Sequence, residues 1–511
     1  MNYMMGVDIG TTSTKAVLFS KKGDVVNRMA VDYPLHTPTP VVAEQDPDEI
    51  FGAVICAIRS CLAESGIPKV DFVSFSSAMH SLILVDVEGK PLTPSITWAD
   101  QRSAHWADRI KEEWQGHEIY LRTGTPIHPM SPLAKLVWLK NEHPALFSKA
   151  AKFISIKEYV FHRLFGEYVI DYSIASATGL FHLEKLDWDE GALRLAGVTK
   201  EQLSQPVATT ATFKGLTPKY AEKLGLPSNT SFVIGAGDGV LSNLGVNAID
   251  PGVAAVTIGT SGAIRTVTDQ PVTDPKGRIF CYALTDHHWV IGGPVNNGGM
   301  IFRWARDELA PMEAQMAKEI GKDPYDLLTE MASKVSPGSE GLIFHPYMSG
   351  ERAPLWNAHA RGSFFGLAMH HKKGHMIRAV LEGITMNLYS VLLALTELTG
   401  EPTKILATGG FARSELWRQM LADVFNKEVV IPKSFESSCL GAAVLGLYGS
   451  GQIDSLSAVK DMVGEVHAHQ PNPQAVAVYE QIMPIFIRVS RLLEEEYSSI
   501  SALQRSLTDT G

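Results

Sequence analysis

The chain has 511 residues, of which 45% are hydrophobic and 20% are charged, and its formal net charge is −10. This length exceeds one hydrophobic core and predicts two large domains, and the composition is that of a folded protein rather than a disordered or fibrous one. The acidic balance, without dense Lys/Arg runs, excludes an evident nucleic-acid footprint or polybasic membrane patch. An acidic substrate would therefore have to be bound by local donors.

The sequence also predicts the cellular compartment. Asp8 interrupts the apolar stretch near the start, and no uninterrupted apolar run reaches the ~20 residues that span a bilayer. The cysteines lack CxxC spacing and are too sparse for a disulfide framework; they are Cys56, Cys61, Cys281 and Cys439. We therefore expect a cytoplasmic protein that binds neither nucleic acid nor membrane.

The predicted elements alternate between strands and helices, which indicates an α/β fold. Strands are predicted at 3–9, 15–20 and 25–33, a helix at 47–64, a strand at 70–78, and helices at 103–115, 131–142 and 155–165. Strand, glycine turn and helix follow over 232–246, two strands over 253–269, strand, double glycine and helix over 403–425, an apolar helix at 440–451 and one long amphipathic helix at 476–506.

A short pattern occurs twice in the chain. DIGTTSTKAVLF near the start and TIGTSGAIRTVT after Asp250-Pro251 each combine a strand, an Ile-Gly-Thr turn and a returning strand. This repetition predicts two halves of related topology. We place the first domain at residues 1–247 and the second, with the final helix, at 248–511.

Glycine turns follow several predicted strands. The Gly-Thr-Thr-Ser turn after Asp8 offers backbone N–H groups and hydroxyls to phosphate oxygens, and a carboxylate beside such a nest is suited to hydrated Mg²⁺. The alternative is a plain hairpin that Asp8 caps. Further turns at 235–239, 259–262 and 409–410 each follow a strand and can converge with it in one cleft between the halves. No P-loop or G-x-G-x-x-G sequence is present, so a nucleotide would have to be held by these separated turns.

Asp238, in the sequence GAGDG, is the candidate general base. Flanking glycines permit close approach of a substrate, and phosphoryl transfer needs little beyond positioning, charge neutralisation and a group that accepts the proton of the attacking hydroxyl. The alternative, an Asp in an ordinary glycine-rich turn, is equally compatible with these residues alone.

Two segments carry a specific family resemblance: MSPLAKLVWLKNE at 130–142 and GSFFGLAMHHKKGHMIRAVLE at 362–382. With them the chain resembles the FGGY carbohydrate kinases over nearly its whole length. That resemblance implies an α/β, two-domain, actin-like (ribonuclease-H-like) ATPase fold with a nucleotide and sugar cleft between the domains. It also implies a kinase that uses ATP and Mg²⁺.

The resemblance assigns site residues. It implies that Gly10, Thr11 and Thr12 form the first phosphate hairpin and Gly259 and Thr260 the second, and that Gly299, Gly409 and Gly410 surround the nucleotide. It makes Asp8 the magnesium-associated acid and Asp238 the base. For the sugar it implies Met79, His80, Asp100, Arg102 and Asp238.

The resemblance also bears on the substrate. Met79-His80 stands where xylulokinases carry a Met-His pair and glycerol kinases an Arg-Glu pair, which disfavours glycerol. SSAMHS, RTGTPIHPM, GGPVNNGG and HPYMSGERAPLWN are similar to the gluconate-phosphorylating branch of the family. This implies conversion of D-gluconate to 6-phosphogluconate. Lys157, Arg102 or His128 could pair with the substrate carboxylate, but each also has a plain surface or fold role available.

Other functions stay open at this point. D-Xylulose or another pentulose is the alternative substrate within the family. From different classes, an actin-like ATPase acting on a protein partner would hydrolyse ATP without sugar, and a sugar-sensing regulator could use the same fold. A homodimer is one assembly that the sequence leaves open.

Overall fold

The protein is described by a computed structural model that covers residues 3–67, 69–433 and 436–508. The strands are β1 Tyr3–Ile9, β2 Ser13–Ser20, β3 Val25–Asp32, β4 Glu44–Gln45, β5 Phe72–Ser77, β6 Ile83–Val85, β7 Ser95–Ile96, β8 Lys152–Ile154, β9 Val169–Asp171, β10 Phe181–His182, β11 Asp187–Trp188, β12 Gln205–Val207, β13 Thr212–Phe213, β14 Ser231–Gly237, β15 Val253–Ile258, β16 Gly262–Thr268, β17 Phe280–Ala283, β18 Trp289–Val295, β19 Ile343–His345, β20 Ser363–Phe365, β21 Lys404–Thr408, β22 Val429–Pro432 and β23 Glu465–His469.

The helices alternate with these strands, as the sequence predicts. They are α1 Pro47–Ser65, α2 Ala104–Glu113, α3 Gly116–Thr123, α4 Pro132–Glu142, α5 Pro144–Phe147, α6 Ile156–Phe165, α7 Tyr172–Ser176, α8 Glu190–Ala196, α9 Pro218–Leu224, α10 Asp238–Gly245, α11 Gly299–Trp304, α12 Pro311–Glu319, α13 Pro324–Ser333, α14 Lys373–Thr399, α15 Glu415–Phe425, α16 Ser437–Gly449, α17 Pro473–Leu492 and α18 Glu494–Thr508.

The chain divides into two compact units, each assembled from separate segments. The first unit contains Met1–Asp250, Val267–Ile291 and Glu436–Gly464, and the second contains Pro251–Thr266, Gly292–Phe435 and Glu465–Gly511. The division predicted above, 1–247 and 248–511, is contiguous. The units depart from it because two later segments pack with the first unit.

The main sheet of the first unit has the strand order β13-β14-β5-β1-β2-β3. β1 pairs antiparallel with β2 and parallel with β5, so that Asp8 lies beside Lys15 on one side and Ser76 on the other. β5 is buried along its whole length, and α1 covers β2 and β3. The sheet therefore brings Asp8 to the end of a buried central strand.

The second unit repeats this arrangement. β15 pairs antiparallel with β16 and parallel with β21, which pairs in parallel with β22. β22 then pairs antiparallel with β23. The predicted relation between the two hairpins is confirmed, because each is an antiparallel pair whose first strand has a parallel neighbour.

α10 and α16 of the first unit pack at backbone distance. A Cβ atom added at Gly245 would lie 1.8 Å from the carbonyl oxygen of Ser437, and one added at Gly441 would lie 2.0 Å from that of Leu241. Only glycine permits such an approach. This contact fixes the position of α10, the helix that begins at Asp238.

α14 is the helix of the described residues that is long and apolar enough to cross a membrane. However, 78% of its apolar window is buried, and its buried side chains include Arg378 and Glu382. Both features are those of a core helix.

The C-terminal helix differs from the prediction. The expected single helix at 476–506 consists of α17 and α18, which are separated at Leu493. Glu494, Glu495 and Glu496 occupy the first turn of α18. Acidic side chains are favourable at a helix N-terminus and unfavourable near a C-terminus, so this run favours a new helix start.

Candidate active site

The first hairpin turns its carbonyl groups toward the protein. The Gly10 carbonyl accepts a hydrogen bond from the Tyr33 hydroxyl at 2.7 Å, and the Thr12 carbonyl accepts one from the Tyr33 N–H at 3.1 Å. The Thr11 carbonyl accepts one from Gln45 Nε2 at 2.7 Å. The Gly10 N–H donates to the Ser13 carbonyl within the turn at 3.0 Å, and the Thr12 side chain is exposed. A hydroxyl at such a glycine turn suits phosphate oxygens.

Asp8 lies at the end of β1, before this turn. Its Oδ1 accepts a hydrogen bond from the Ser76 hydroxyl at 2.6 Å. Burial raises the pKa of Asp8, while Ser76 and the Lys15 charge oppose the rise. Among the described residues no group of three or more His, Cys, Asp or Glu side chains is arranged to hold a metal. A single carboxylate fits Mg²⁺, which takes its other ligands from waters and phosphate oxygens.

Asp238 is the first residue of α10 and is partly exposed. Its Oδ1 accepts a hydrogen bond from the Gly239 N–H at 2.6 Å, and its position at a helix N-terminus favours a negative charge. The preceding residue is held by α7, because the Gly237 N–H donates to the Ser173 hydroxyl at 3.1 Å. These two contacts restrict the position of the Asp238 carboxylate at the start of α10.

A buried ion pair lies behind Asp238. Lys157 Nζ is 2.6 Å from Asp171 Oδ2 and 3.2 Å from the carbonyl oxygen of Ala236, and it interacts with the charge of Asp238. Burial raises the pKa of Asp171, and the Lys157 ammonium opposes that rise. Because Lys157 is already neutralised inside the protein, it is a poor candidate for binding a substrate carboxylate.

Glu158, which caps α6, provides a pH-dependent test of this part of the first unit. Its side chain is buried and binds the Ser155 N–H, and burial raises its pKa from 4.5 to about 7. The folded state therefore holds a proton that the unfolded state releases. The free energy of unfolding of the wild type should fall relative to that of Glu158→Gln by about 1.4 kcal/mol for each unit that the pH rises between these two pKa values.

Melting curves of both proteins at about pH 5, 6 and 7 measure this difference. We expect the Glu158→Gln protein to gain on the wild type as the pH rises, because the amide cannot ionise. Parallel melting temperatures across this range would contradict the raised pKa.

Met79 and His80 follow β5. His80 Nδ1 is 2.7 Å from the carbonyl oxygen of Ala177, so Nδ1 donates to that oxygen. The His80 ring also packs edge-to-face on Tyr282. His80 has a φ of 68°, a strained conformation of the kind found at functional sites. Met79 packs against Gly237, which precedes Asp238.

Lys135 binds the backbone of this segment at His80. It is fully buried, and its Nζ donates to the carbonyl oxygens of His80 at 2.6 Å, Thr97 at 2.8 Å and Met130 at 2.9 Å, with Ile96 at 3.4 Å. Burial lowers the pKa of Lys135 to about 7. One side chain thus joins three loops that carry predicted sugar contacts.

In the segment from Trp98 to Arg102, the side chains expected to contact the sugar bind other residues of the first unit. Asp100 is fully buried and binds Arg102, which also pairs with Glu44 at 2.5 Å. Both side chains therefore have partners within the first unit, which favours a supporting role over direct sugar contact. Trp98 also has a partner in the first unit, since its Nε1 donates to the Thr11 hydroxyl at 2.9 Å, which connects this segment to the first hairpin.

The second hairpin is held by the start of α11. The Gly299 N–H donates to the Gly259 carbonyl at 2.7 Å, and the Met300 N–H donates to the Thr260 carbonyl at 3.1 Å. A Cβ atom on Gly299 would lie 2.7 Å from that Gly259 oxygen. As in the first hairpin, the carbonyl groups are turned inward.

Gly409 and Gly410 follow β21 beside this hairpin. Gly409 has a φ of 111°, and a Cβ atom there would lie 2.2 Å from the carbonyl oxygen of Ile258. Gly410 is exposed and has open space around its Cα. The double glycine therefore lets the chain pass close to β15 and leaves room for a ligand.

These turns border a cavity of about 330 Å³ in the second unit. Four predicted residues line it: Gly259, Thr260, Gly299 and Gly410. The remaining wall is formed by Ile258, Phe302, Arg303, Asp323, Tyr325, Asp326, Thr329, Phe411, Arg413, Ser414 and Trp417. Aromatic walls with a few polar groups are typical of small-molecule sites.

Most of this wall was not predicted from the sequence. Phe411 directly follows the double glycine, which is a usable signal. The contribution of α13, from Tyr325 to Thr329, carries no such signal, because it reaches the cavity through tertiary packing alone. Paired glycine hairpins and this cavity define the class of duplicated α/β proteins that bind nucleotide phosphates.

Comparison with known families identifies the chain within this class. The model for the FGGY family of carbohydrate kinases, N-terminal domain, matches residues 3–245, and the model for the C-terminal domain matches residues 254–450. The chain belongs to the FGGY family of carbohydrate kinases. The predicted family, two-domain α/β fold and kinase class are confirmed, and ATP is the phosphate donor that this family implies.

Individual relatives match over the full length. Gluconokinase of Bacillus subtilis (strain 168) is 61% identical over 507 residues, which are 99% of both chains. A solved structure of gluconate kinase from Lactobacillus acidophilus has a TM-score of 0.92 at 40% identity and covers 98% of this chain and 99% of that one. A ligand-bound xylulose kinase from the same organism has a TM-score of 0.93 at 40% identity, with 98% and 100% covered.

Proposed function

We propose that this protein transfers the γ-phosphoryl group of ATP to the terminal hydroxyl of D-gluconate and so produces 6-phosphogluconate. The observation that carries the proposal is the 61% identity to a gluconokinase over 99% of both chains. To phosphoryl transfer we assign the cavity of the second unit for the nucleotide and Asp8 and Asp238 of the first unit for the metal and the base.

Asp238 is the proposed general base. Its carboxylate accepts the proton of the attacking hydroxyl as the bond to phosphorus forms, and the phosphoryl group leaves ADP. The Gly239 N–H and the first turn of α10 hold the carboxylate in place. Lys157 and Asp171 support the backbone behind it.

The nucleotide is proposed to occupy the cavity of the second unit. Aromatic side chains such as Tyr325 and Trp417 would contact the base, and Arg303 and Arg413 would supply positive charge. The phosphates would meet the amide edge of the Gly259–Thr260 hairpin. Gly10, Thr11 and Thr12 provide the corresponding amide edge in the first unit.

Asp8 is proposed to hold Mg²⁺ through water or directly. When bound, the ion supplies charge neutralisation for the phosphate oxygens. Ser76 orients the Asp8 carboxylate, and the raised pKa of Asp8 marks a buried acid that an adjacent cation would stabilise in its ionised form.

For the substrate we propose contacts from Met79 and His80, with His80 Nε2 accepting from a hydroxyl group. Trp98, Asp100 and Arg102 are proposed to support this segment, since Trp98 binds Thr11, Asp100 binds Arg102, and Arg102 also binds Glu44. Of the three basic residues considered for the substrate carboxylate, Lys157 and Arg102 pair with acids, and His128 is buried and accepts from the Met130 N–H.

The second candidate substrate is a pentulose. It is favoured by the equal 40% identity to the proteins described as gluconate kinase and as xylulose kinase of Lactobacillus acidophilus.

We propose a cytoplasmic location and leave a homodimer as the assembly to be measured.

A coupled ADP-release assay tests the proposal. Purified protein with Mg-ATP is given D-gluconate, D-xylulose, L-ribulose, glycerol or no sugar. We expect release to depend on D-gluconate. Release with a pentulose alone would keep the kinase mechanism and overturn the substrate, and equal release without sugar would indicate an ATPase that acts on a protein partner.

A further inference from the structure

A buried carboxylate in the second unit binds the segment that leads into α11. Glu351 is fully buried, and its Oε1 accepts hydrogen bonds from the N–H groups of Asn296 at 2.6 Å and Arg352 at 2.8 Å. Its Oε2 accepts from Nδ2 of Asn297 at 2.9 Å and Nδ2 of Asn387 at 2.7 Å. Four N–H donors thus surround one carboxylate.

The segment held by Glu351 is the one that fastens the second phosphate hairpin. Asn297 also donates to the Gly350 carbonyl at 2.7 Å, so its side chain is fixed on two sides. Two residues further along, the Gly299 N–H binds the Gly259 carbonyl. Hydrogen bonds from Glu351 to Asn296 and Asn297, the two peptide bonds that follow, and the Gly299 hydrogen bond therefore connect Glu351 to the hairpin that lines the cavity.

We propose that Glu351 is a positioning residue for the nucleotide: through Asn296 and Asn297 it fixes the backbone that holds the Gly259–Thr260 hairpin in its phosphate-binding geometry. Glu351 does not line the cavity, so it acts without touching the nucleotide. The inference rests on the nucleotide-binding part of the proposed function.

The chemistry explains why a carboxylate is needed here. Both oxygens of Glu351 accept, and every partner donates, so the ionised form satisfies all four N–H groups. A glutamine at this position would turn its own NH₂ group toward one of the two donor pairs. The hairpin would then lose one of its supports while the volume of the side chain stayed the same.

The test is Glu351→Gln, compared with Glu382→Gln as a matched control. Glu382 is also a buried acid of the second unit; it binds Arg378 and Tyr479, and neither residue lines the cavity. We expect Glu351→Gln to raise KM for ATP and the Kd for ADP by roughly tenfold or more. KM for gluconate should stay near the wild-type value, and Glu382→Gln should leave ADP binding unchanged.

Calorimetric titration with ADP, without sugar, gives the decisive measurement. It is independent of the substrate proposal, which fails separately if the wild type binds ADP but does not phosphorylate gluconate. Equal losses of ADP affinity in both variants, or a lower melting temperature with unchanged ADP affinity, would overturn the positioning role. If Glu351→Gln does not fold, Asn297→Ala removes one link of the same set and must weaken ADP binding for the inference to hold.

Discussion

Replacing Asp238 with asparagine is expected to lower kcat by about 10²–10⁴-fold, because the amide cannot accept the proton of the attacking hydroxyl. ADP affinity should stay close to the wild-type value, since residues of the second unit form the nucleotide cavity. Steady-state kinetics with gluconate and calorimetry with ADP measure the two effects on the same preparation.

Asp46→Asn is the matched control for this experiment. Asp46 is another acid at a helix start of the first unit, where it caps α1 by accepting from the N–H groups of Asp48 and Glu49. Its replacement should leave turnover unchanged. Near-wild-type turnover in the Asp238 variant would remove Asp238 from the role of base.

Replacing Lys135 with methionine should raise KM for gluconate by roughly ten- to a hundredfold, the second large effect we expect. The change keeps an unbranched side chain, one atom shorter, but removes the donors that join the His80, Thr97 and Met130 carbonyls. The three loops would then lose their common anchor. The Kd for ADP should stay unchanged, because Lys135 belongs to the first unit.

Lys152→Met provides the comparison. Lys152 also belongs to the first unit and donates to two carbonyls, those of Glu201 at 2.7 Å and Leu203 at 2.9 Å, and burial lowers its pKa as well. Its carbonyl partners do not belong to the predicted sugar-binding segments. If both variants change KM for gluconate to the same extent, Lys135 has only a structural role.

The sequence was informative where chemistry depends on local pattern. The hairpins of Asp8 and Gly259 were predictable because a strand, a glycine turn and a returning strand are adjacent in the chain. The succession of strand, glycine turn and helix over 232–246 was predictable because it too is local, although the helix start at Asp238 was not specified. The family resemblance supplied what local pattern could not, namely the kinase class and the expectation that the segment around His80 binds the sugar.

The sequence was least informative where contacts join distant segments. The sequence places Asp100 two residues before Arg102, but the second carboxylate partner of Arg102, Glu44, lies far away in the chain and becomes its neighbour only in the folded state. Lys135 read as part of a helical signature, and nothing in the sequence indicates that its ammonium group collects carbonyls from three loops. The sequence likewise gives no indication that Glu351 binds Asn296, Asn297 and Asn387.

The packing of α16 against α10 also constrains how the protein can be made. The helix that supports the start of α10 is encoded by residues 437–449, about two hundred positions after Asp238. During translation, the first unit therefore lacks α16, and its apolar face stays uncovered until most of the second unit has been synthesised. The order of translation and the order of assembly differ in this chain, and a fragment that ends near residue 250 would expose the surface that α16 covers.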